Sequence, residues 1–408
     1  MAKLSVEDLD LGGKRIFLRV DLNVPLAGPP PEAAGPQPEA GERQVADDTR
    51  LQAALPTLQH CVKSGAAVIL ASHLGRPKGK PDPKYSLAPV AKRLEELLGQ
   101  PVPLAADCVG DAVEAQTRSL GPGQVLLLEN LRFHPEEEAN DPVFAGALAR
   151  LADCYANDAF AAAHRAHASI EAITRYLSPA VAGFLMRREL EALGRILDRP
   201  ERPLVAILGG AKVSDKLALV ERLVQQVDAV LIGGGMAFTF LRALGHGVGR
   251  SLVEPDRIEL ARRVLGEASR RGTQVGLPVD AVVAESPDDV ESRAVGVREM
   301  PEDLMGLDIG PLTLARFTAG LRGAKTIVWN GPMGVFERSR FARGTVELAR
   351  AVAASGAFSV VGGGDTVAAV HQAGVAEKIG YLSTAGGAFL EFLEGRVLPG
   401  VAALTDRP

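Results

Sequence analysis

Short apolar runs alternate along the chain with longer stretches in which apolar positions recur every three or four residues. The runs Arg15–Val20, Ala66–Ala71, Gln124–Leu128, Leu204–Leu208, Ala229–Ile232, Thr326–Trp329 and Phe358–Val361 read as strands. Several are unbroken Val/Ile/Leu sequences rather than alternations, as expected of strands covered on both faces. Leu87–Leu98 and Leu217–Val227 carry helical spacing between them. This order predicts a parallel α/β architecture. Ala182–Leu197 reads as a longer helix, closed by Asp198-Arg199-Pro200 and followed by a fresh series of strands. The expected organisation is therefore an N-terminal lobe (1–181), a connecting helix (182–197) and a C-terminal lobe (198–392).

Composition narrows the classes of function. The 408 residues allow roughly two to three domains of about 150 residues each. Hydrophobic residues at 47% and charged residues at 23% are the balance of a globular chain with large cores. A net charge of −5 argues against a general nucleic-acid or membrane-surface binder, and 4% aromatics leaves few platforms for stacking bases. The longest uncharged stretch, Ala351–Gly364, is too short and too Gly-rich to span a bilayer. The N-terminal residues lack the apolar core of a secretory signal. Cys61, Cys108 and Cys154 are sparse and odd in number, which points to reduced thiols and a cytoplasmic location. Arg outnumbers Lys 34 to 11, so each arginine is weighed against that background. Gly28–Glu42, with five prolines and no large apolar residue, cannot join a core and reads as a surface excursion.

The candidate chemistry gathers at the carboxyl ends of the strands, where open parallel sheets bind ligands. In the second half, Leu204–Leu208 runs into Gly209-Gly210-Ala211-Lys212-Val213-Ser214-Asp215-Lys216. Glycines let backbone approach a phosphate, and a following helix N-terminus supplies unpaired N–H groups. Lys212 and Lys216, four apart, are expected to stack on one helical face. Further Gly-rich turns are Gly233-Gly234-Gly235, Gly362-Gly363-Gly364-Asp365-Thr366 and Ala385-Gly386-Gly387. Asp365 fits either a Mg²⁺ ligand or the N-cap of a helix over Thr366–Gln372. No G-x-x-x-x-G-K-[ST] occurs, and no triple-glycine turn completes a dinucleotide fingerprint, which disfavours an NAD-dependent dehydrogenase.

The first half presents side chains instead. Its strand ends carry Asp21-Leu22-Asn23, Ser72-His73-Leu74-Gly75-Arg76 and Glu129-Asn130-Leu131-Arg132, with Arg50 and His164-Arg165-Ala166-His167 elsewhere. Guanidinium forks bind carboxylate and phosphate bidentately, so several arginines at one sheet edge make a small-anion pocket. Nothing completes a metal set around His164 and His167.

These segments resemble one family. Arg19-Val20-Asp21-Leu22-Asn23-Val24-Pro25, Asp47-Asp48-Thr49-Arg50, Ser72-His73-Leu74-Gly75-Arg76-Pro77 and Glu129-Asn130-Leu131-Arg132-Phe133 are similar to phosphoglycerate kinase motifs. So are Ala163-His164-Arg165-Ala166-His167, Gly209–Lys216, Trp329-Asn330-Gly331-Pro332-Met333-Gly334-Val335-Phe336-Glu337 and Gly363-Gly364-Asp365-Thr366. The likeness runs in the family's order from about Leu4 to Leu398. It implies two Rossmann-like lobes, each a parallel sheet with helices on both faces, joined by a hinge helix. Residues 393–408 are then expected to pack back on the first lobe. Asp21, Asn23, Arg50, His73, Arg76, Arg132 and Arg165 would bind 3-phosphoglycerate or its acyl phosphate. Gly210, Lys212, Lys216, Gly234, Asn330, Glu337, Gly363, Gly364, Asp365 and Thr366 would serve MgATP or MgADP, with Glu337 at the ribose and Asp365 at Mg²⁺.

The acceptor of the phosphoryl group in such an enzyme is a carboxylate, ionised well below pH 7, so no general base is needed. What the reaction needs is in-line positioning and cancellation of charge on the equatorial oxygens. Arg50 and Lys212 are expected at the transition state, Lys216 at the nucleotide phosphates, and Gly386-Gly387 as backbone donors to the moving group. Hinge closure of a monomer would exclude competing water. Two features depart from the family pattern: Ala385, where a third glycine is commoner, and the long Gly28–Glu42 insertion. A catalytically silent scaffold on the same fold is the alternative, and the presence of both lysines, Asp365 and the arginines argues against it.

Overall fold

In this computed structural model, which describes residues 2–28 and 43–408, the chain divides into two units. One comprises residues 1–191 with 397–408, the other residues 192–396. The Pro-rich Gly28–Glu42 stretch lies outside the described residues apart from its first glycine.

The N-terminal unit is built on β1 (Arg15–Val20), β2 (Ala67–Ala71), β3 (Val125–Leu127), β4 (Cys154–Asp158) and β5 (Ala180–Ala182). All pair in parallel, in the order β3-β2-β1-β4-β5. On one face of β1, Ile16, Leu18 and Val20 join a core with Leu51 and Leu58 of α1 (Thr49–Lys63) and Val90 and Leu94 of α2 (Ala88–Leu98). On the other, Phe17 stacks on Tyr155 with ring centroids 6.1 Å apart. Burial on both faces explains the unbroken apolar run, and each such side chain contributes about 1.5–3 kcal/mol.

β4 was not legible as a strand because Cys-Tyr-Ala-Asn-Asp looks polar. Its Asn157 and Asp158 are nonetheless buried, accepting hydrogen bonds from Ala159 N (3.0 Å) and Met186 N (3.0 Å). The second of these sits at the start of α3 (Phe184–Leu197), which begins two residues later than expected because Ala182 pairs with Asn157 in β5. The division between units falls within α3, after Glu191. The C-terminal segment belongs to the first unit: Leu4 N donates to Thr405 O (2.9 Å), and Gly400 N to Ala163 O (2.8 Å).

The C-terminal unit contains β6 (Leu204–Leu208), β7 (Ala229–Ile232), β8 (Gln274–Gly276), β9 (Asp280–Ala284), β10 (Arg293–Gly296), β11 (Met305–Ile309), β12 (Thr326–Asn330), β13 (Phe358–Gly362) and β14 (Tyr381–Ser383). Six form a parallel sheet in the order β8-β7-β6-β12-β13-β14. β10-β9-β11 form a separate antiparallel sheet, which the sequence pattern did not suggest. The helices that follow Gly-rich turns are α4 (Leu217–Leu223), α5 (Met236–Ala243), α6 (Gly364–Gln372) and α7 (Gly387–Leu393). α4 stops four residues short of the expected Val227, where Gln225 N and Gln226 N turn to carbonyls three residues back. No described helix is long and apolar enough to cross a membrane.

Candidate active site

In the N-terminal unit the ends of β1 and β2 bring the expected side chains together. Arg50, at the start of α1, forms an ion pair with Asp21. Asn23 Oδ1 accepts from Gly75 N (2.9 Å), and Arg132 Nη1 donates to Gly75 O (2.9 Å). Asn130 ties the two loops, donating to Leu74 O (2.7 Å) and accepting from Leu74 N (3.2 Å). Arg132 Nε lies 3.1 Å from Glu138 Oε1 but lacks hydrogen-bond geometry. Arg165 is half-buried, donating to His164 Nε2 (3.1 Å). Arg76 is exposed and makes no hydrogen bond among the described residues.

Beneath this layer lies Arg19, to which the motif resemblance assigns no role. Arg19 is fully buried. Its Nε donates to Ser169 Oγ (2.9 Å), which in turn donates to the buried Glu137 (2.6 Å). Its Nη2 lies 3.2 Å from His73 Nδ1. A guanidinium has no acceptor, so Nδ1 must accept and the His73 proton resides on Nε2. Burial, then the charges of Arg19, Arg132 and Arg165, hold His73 well below the usual histidine range. The same causes push His167 down to about 3. His73 is thus a neutral donor fixed among cations. A charged residue inside an otherwise apolar two-sided strand was the signal that could have singled out Arg19.

In the C-terminal unit the expected lysine stack does not form. Lys212 lies in an irregular loop, exposed, and Lys216 closes a single 3₁₀ turn, Ser214–Lys216. Lys216 Nζ instead turns back to Gly209 O (2.6 Å) and Asn330 O (3.1 Å). Burial pushes Lys216 down to about 8, opposed by Asp365 and Asp215. Gly331 makes room for this: its φ is +97°, and a Cβ there would lie 2.2 Å from Lys216 Nζ.

The strand-end turns are fastened to one another by backbone. Gly210 N donates to Pro332 O (2.9 Å), Gly234 N to Met333 O (3.1 Å) and Met236 N to Gly210 O (3.0 Å). Asn330 and Thr366 are buried and act as fasteners, Asn330 Nδ2 on Gly362 O (2.7 Å) and Thr366 Oγ1 on Gly331 N (2.7 Å). Gly363 is the N-cap of α6, so Asp365 lies in the first turn, not at the cap. It is exposed and accepts no hydrogen bond among the described residues, as a carboxylate available to a hydrated Mg²⁺ must be. Glu337 is exposed in a turn after β12. In the last loop the positive φ (+51°) falls on Gly386; Ala385 keeps ordinary φ, so its methyl imposes no backbone strain.

One unit that gathers arginines around a neutral histidine, and another with Gly-rich strand ends beside lysines, have the make-up of an α/β phosphotransferase. A phosphoglycerate kinase family model matches residues 6–396. The phosphoglycerate kinase of Moorella thermoacetica is 56% identical over 408 residues, covering 100% of both chains. Among solved structures, the phosphoglycerate kinase of Coxiella burnetii is 41% identical with a TM-score of 0.89, covering 98% of each chain. That of Pyrococcus horikoshii is 36% identical with a TM-score of 0.83, again over 98% of each. The chain belongs to the phosphoglycerate kinase family. It catalyses reversible phosphoryl transfer between 1,3-bisphosphoglycerate and ADP, giving 3-phosphoglycerate and ATP, a step of glycolysis.

Proposed function

We propose that the N-terminal unit binds the phosphoglycerate and the C-terminal unit the nucleotide, each through the residues described above. The observation that carries this assignment is the Arg19–His73 contact, which fixes a neutral N–H donor among Arg132 and Arg165. Such a pocket suits a small, highly charged anion. Asp21 and Asn23 face its hydroxyl, while Arg50, Arg76 and Arg165 neutralise its charged ends.

On the nucleotide side, Gly210, Gly234, Gly363 and Gly364 present backbone to the phosphates and base, and Glu337 meets the ribose. Lys216 neutralises the nucleotide phosphates. Lys212 and Arg50 stabilise the charge of the transferring group, with Gly386 and Gly387 donating to its oxygens. Asp365 would hold Mg²⁺, which when bound neutralises nucleotide phosphate charge. The attacking carboxylate of 3-phosphoglycerate is already ionised, so the protein orients it and keeps water out rather than removing a proton. Because the subsites belong to different units, transfer needs closure about the connecting helix. We read the enzyme as a cytoplasmic monomer; its three free, buried cysteines suit a reducing compartment.

The test is incubation with MgATP and 3-phosphoglycerate, trapping the acyl phosphate with hydroxylamine. Hydroxamate that depends on both Arg132 and Lys216 supports the assignment. Unchanged yield when both are replaced by alanine overturns it.

A further inference from the structure

A second cluster of chemistry shares no residue with those assigned to the reaction. Among the described residues, Asp107, Cys108 and His134 each offer one ligand atom within 4.8 Å of the other two. Their burial is graded: the Cys108 side chain is inaccessible, His134 is 27% exposed and Asp107 is 50% exposed. The trio is held in place before any ion arrives. Asp107 Oδ1 accepts from Cys108 N (2.6 Å) and lies 2.7 Å from His134 Nε2. The His134 ring stacks on Phe144 at 5.1 Å, and its backbone N donates to Leu131 O (3.2 Å).

The geometry points to a site for a single borderline-soft divalent cation, Zn²⁺ foremost, bound by Cys108 Sγ, His134 Nε2 and an Asp107 carboxylate oxygen. A sulfur–nitrogen–oxygen donor set selects zinc or cobalt over Mg²⁺ and Ca²⁺, which take oxygen ligands. Three protein ligands leave a fourth tetrahedral position open. Asp107 and His134, though not the buried Cys108, line a cavity of about 430 Å³ with Asp82, Ser86, Glu129 and Phe133, from which water can complete the shell.

The balance is simple. The Cys108 S–H bond breaks, its proton passes to solvent and a sulfur–metal bond forms. The imidazole proton moves from Nε2 to Nδ1, which gives up the hydrogen bond to Asp107 Oδ1 and frees both atoms to ligate. One thiolate and one carboxylate then cancel the dication, so the partly buried site carries no net charge and avoids the cost of an unpaired ion. Because the ligands come together only in the folded chain, binding stabilises the native state.

The test titrates the metal-free full-length protein with Co²⁺, whose thiolate complexes show a near-ultraviolet charge-transfer band, and then with Zn²⁺. The expected result is a band saturating at one Co²⁺ per chain, its loss on adding Zn²⁺, and a Zn²⁺-dependent rise in Tm. Cys108→Ser abolishes the band, His134→Asn weakens Zn²⁺ binding by at least about tenfold, and Cys61→Ser changes neither. If Cys108→Ser fails to fold, the partly exposed His134→Asn carries the test. Absence of the band, its survival in Cys108→Ser, or equal Zn²⁺ affinity in wild type and His134→Asn overturns the assignment in favour of adventitious binding to surface carboxylates.

Discussion

On the proposed assignment, the two units would handle anions by different means. In the N-terminal unit the proposed recognising groups are side chains, and they rest on buried support: Arg19 beneath His73, then Ser169 and Glu137 beneath Arg19. In the C-terminal unit the proposed recognising groups are mostly backbone, and the support is loop on loop, with Asn330 and Thr366 as fasteners. A charged pocket therefore draws its rigidity from an ion and hydrogen-bond network in the core. A backbone cradle draws it from glycines that let turns approach one another.

The sharpest way to break this contrast is Arg19→Met. It strands the fully buried Glu137 without its cation and should cost about 3–5 kcal/mol, read by urea denaturation. A loss below about 1 kcal/mol would show that the network is ornamental. Next come Arg50→Ala and Lys212→Ala, one from each unit. Each should lower kcat by about 10²–10³ while nucleotide Kd moves far less. Near-normal turnover in both variants would refute their transition-state roles.

A pH profile separates the units further. His73 and His167 are held below the ordinary histidine value of about 6.5, the latter at about 3. Between those limits the unfolded chain binds more protons than the folded one, so stability is full above about pH 6.5 and declines as pH falls towards 3. His167→Gln should flatten the slope by up to about 1.4 kcal/mol per pH unit, measured as unfolding free energy at pH 7 and pH 5. An unchanged slope would remove His167 from the network. The smallest effect belongs to Ala385→Gly. Since Ala385 sits at ordinary φ, glycine should destabilise by about 0.4–1 kcal/mol through the unfolded state and leave kcat unchanged. A tenfold rise in kcat would instead mean that the methyl obstructs the phosphoryl group.

How far the sequence could be read varied with the kind of contact. β1, β6 and β7 were legible to the residue because burial on both faces writes continuous apolar runs. β4 was hidden because its polar residues are buried by hydrogen bonds that only the fold supplies. The lysine pair was misjudged because periodicity assumes a helix, whereas Lys216 finds carbonyls on β12 and the β6 turn. Asp107-Cys108 and His134 give no signal, because nothing local in a sequence links a loop to a turn 27 residues further along.

By itself the sequence determined the family, the alternation of strand and helix, and the identity of nearly every residue proposed at the site. These are local properties: apolar period, glycine at turns, charge at strand ends. Tertiary structure alone decided what each of those groups touches. It placed Arg19 under His73 and so set the histidine's tautomer, turned Lys216 onto the Gly209 and Asn330 carbonyls, and made Asn330 and Thr366 fasteners. Hydrogen-bond partners and burial depend on residues far apart in the chain, and no period or motif encodes the distance between them.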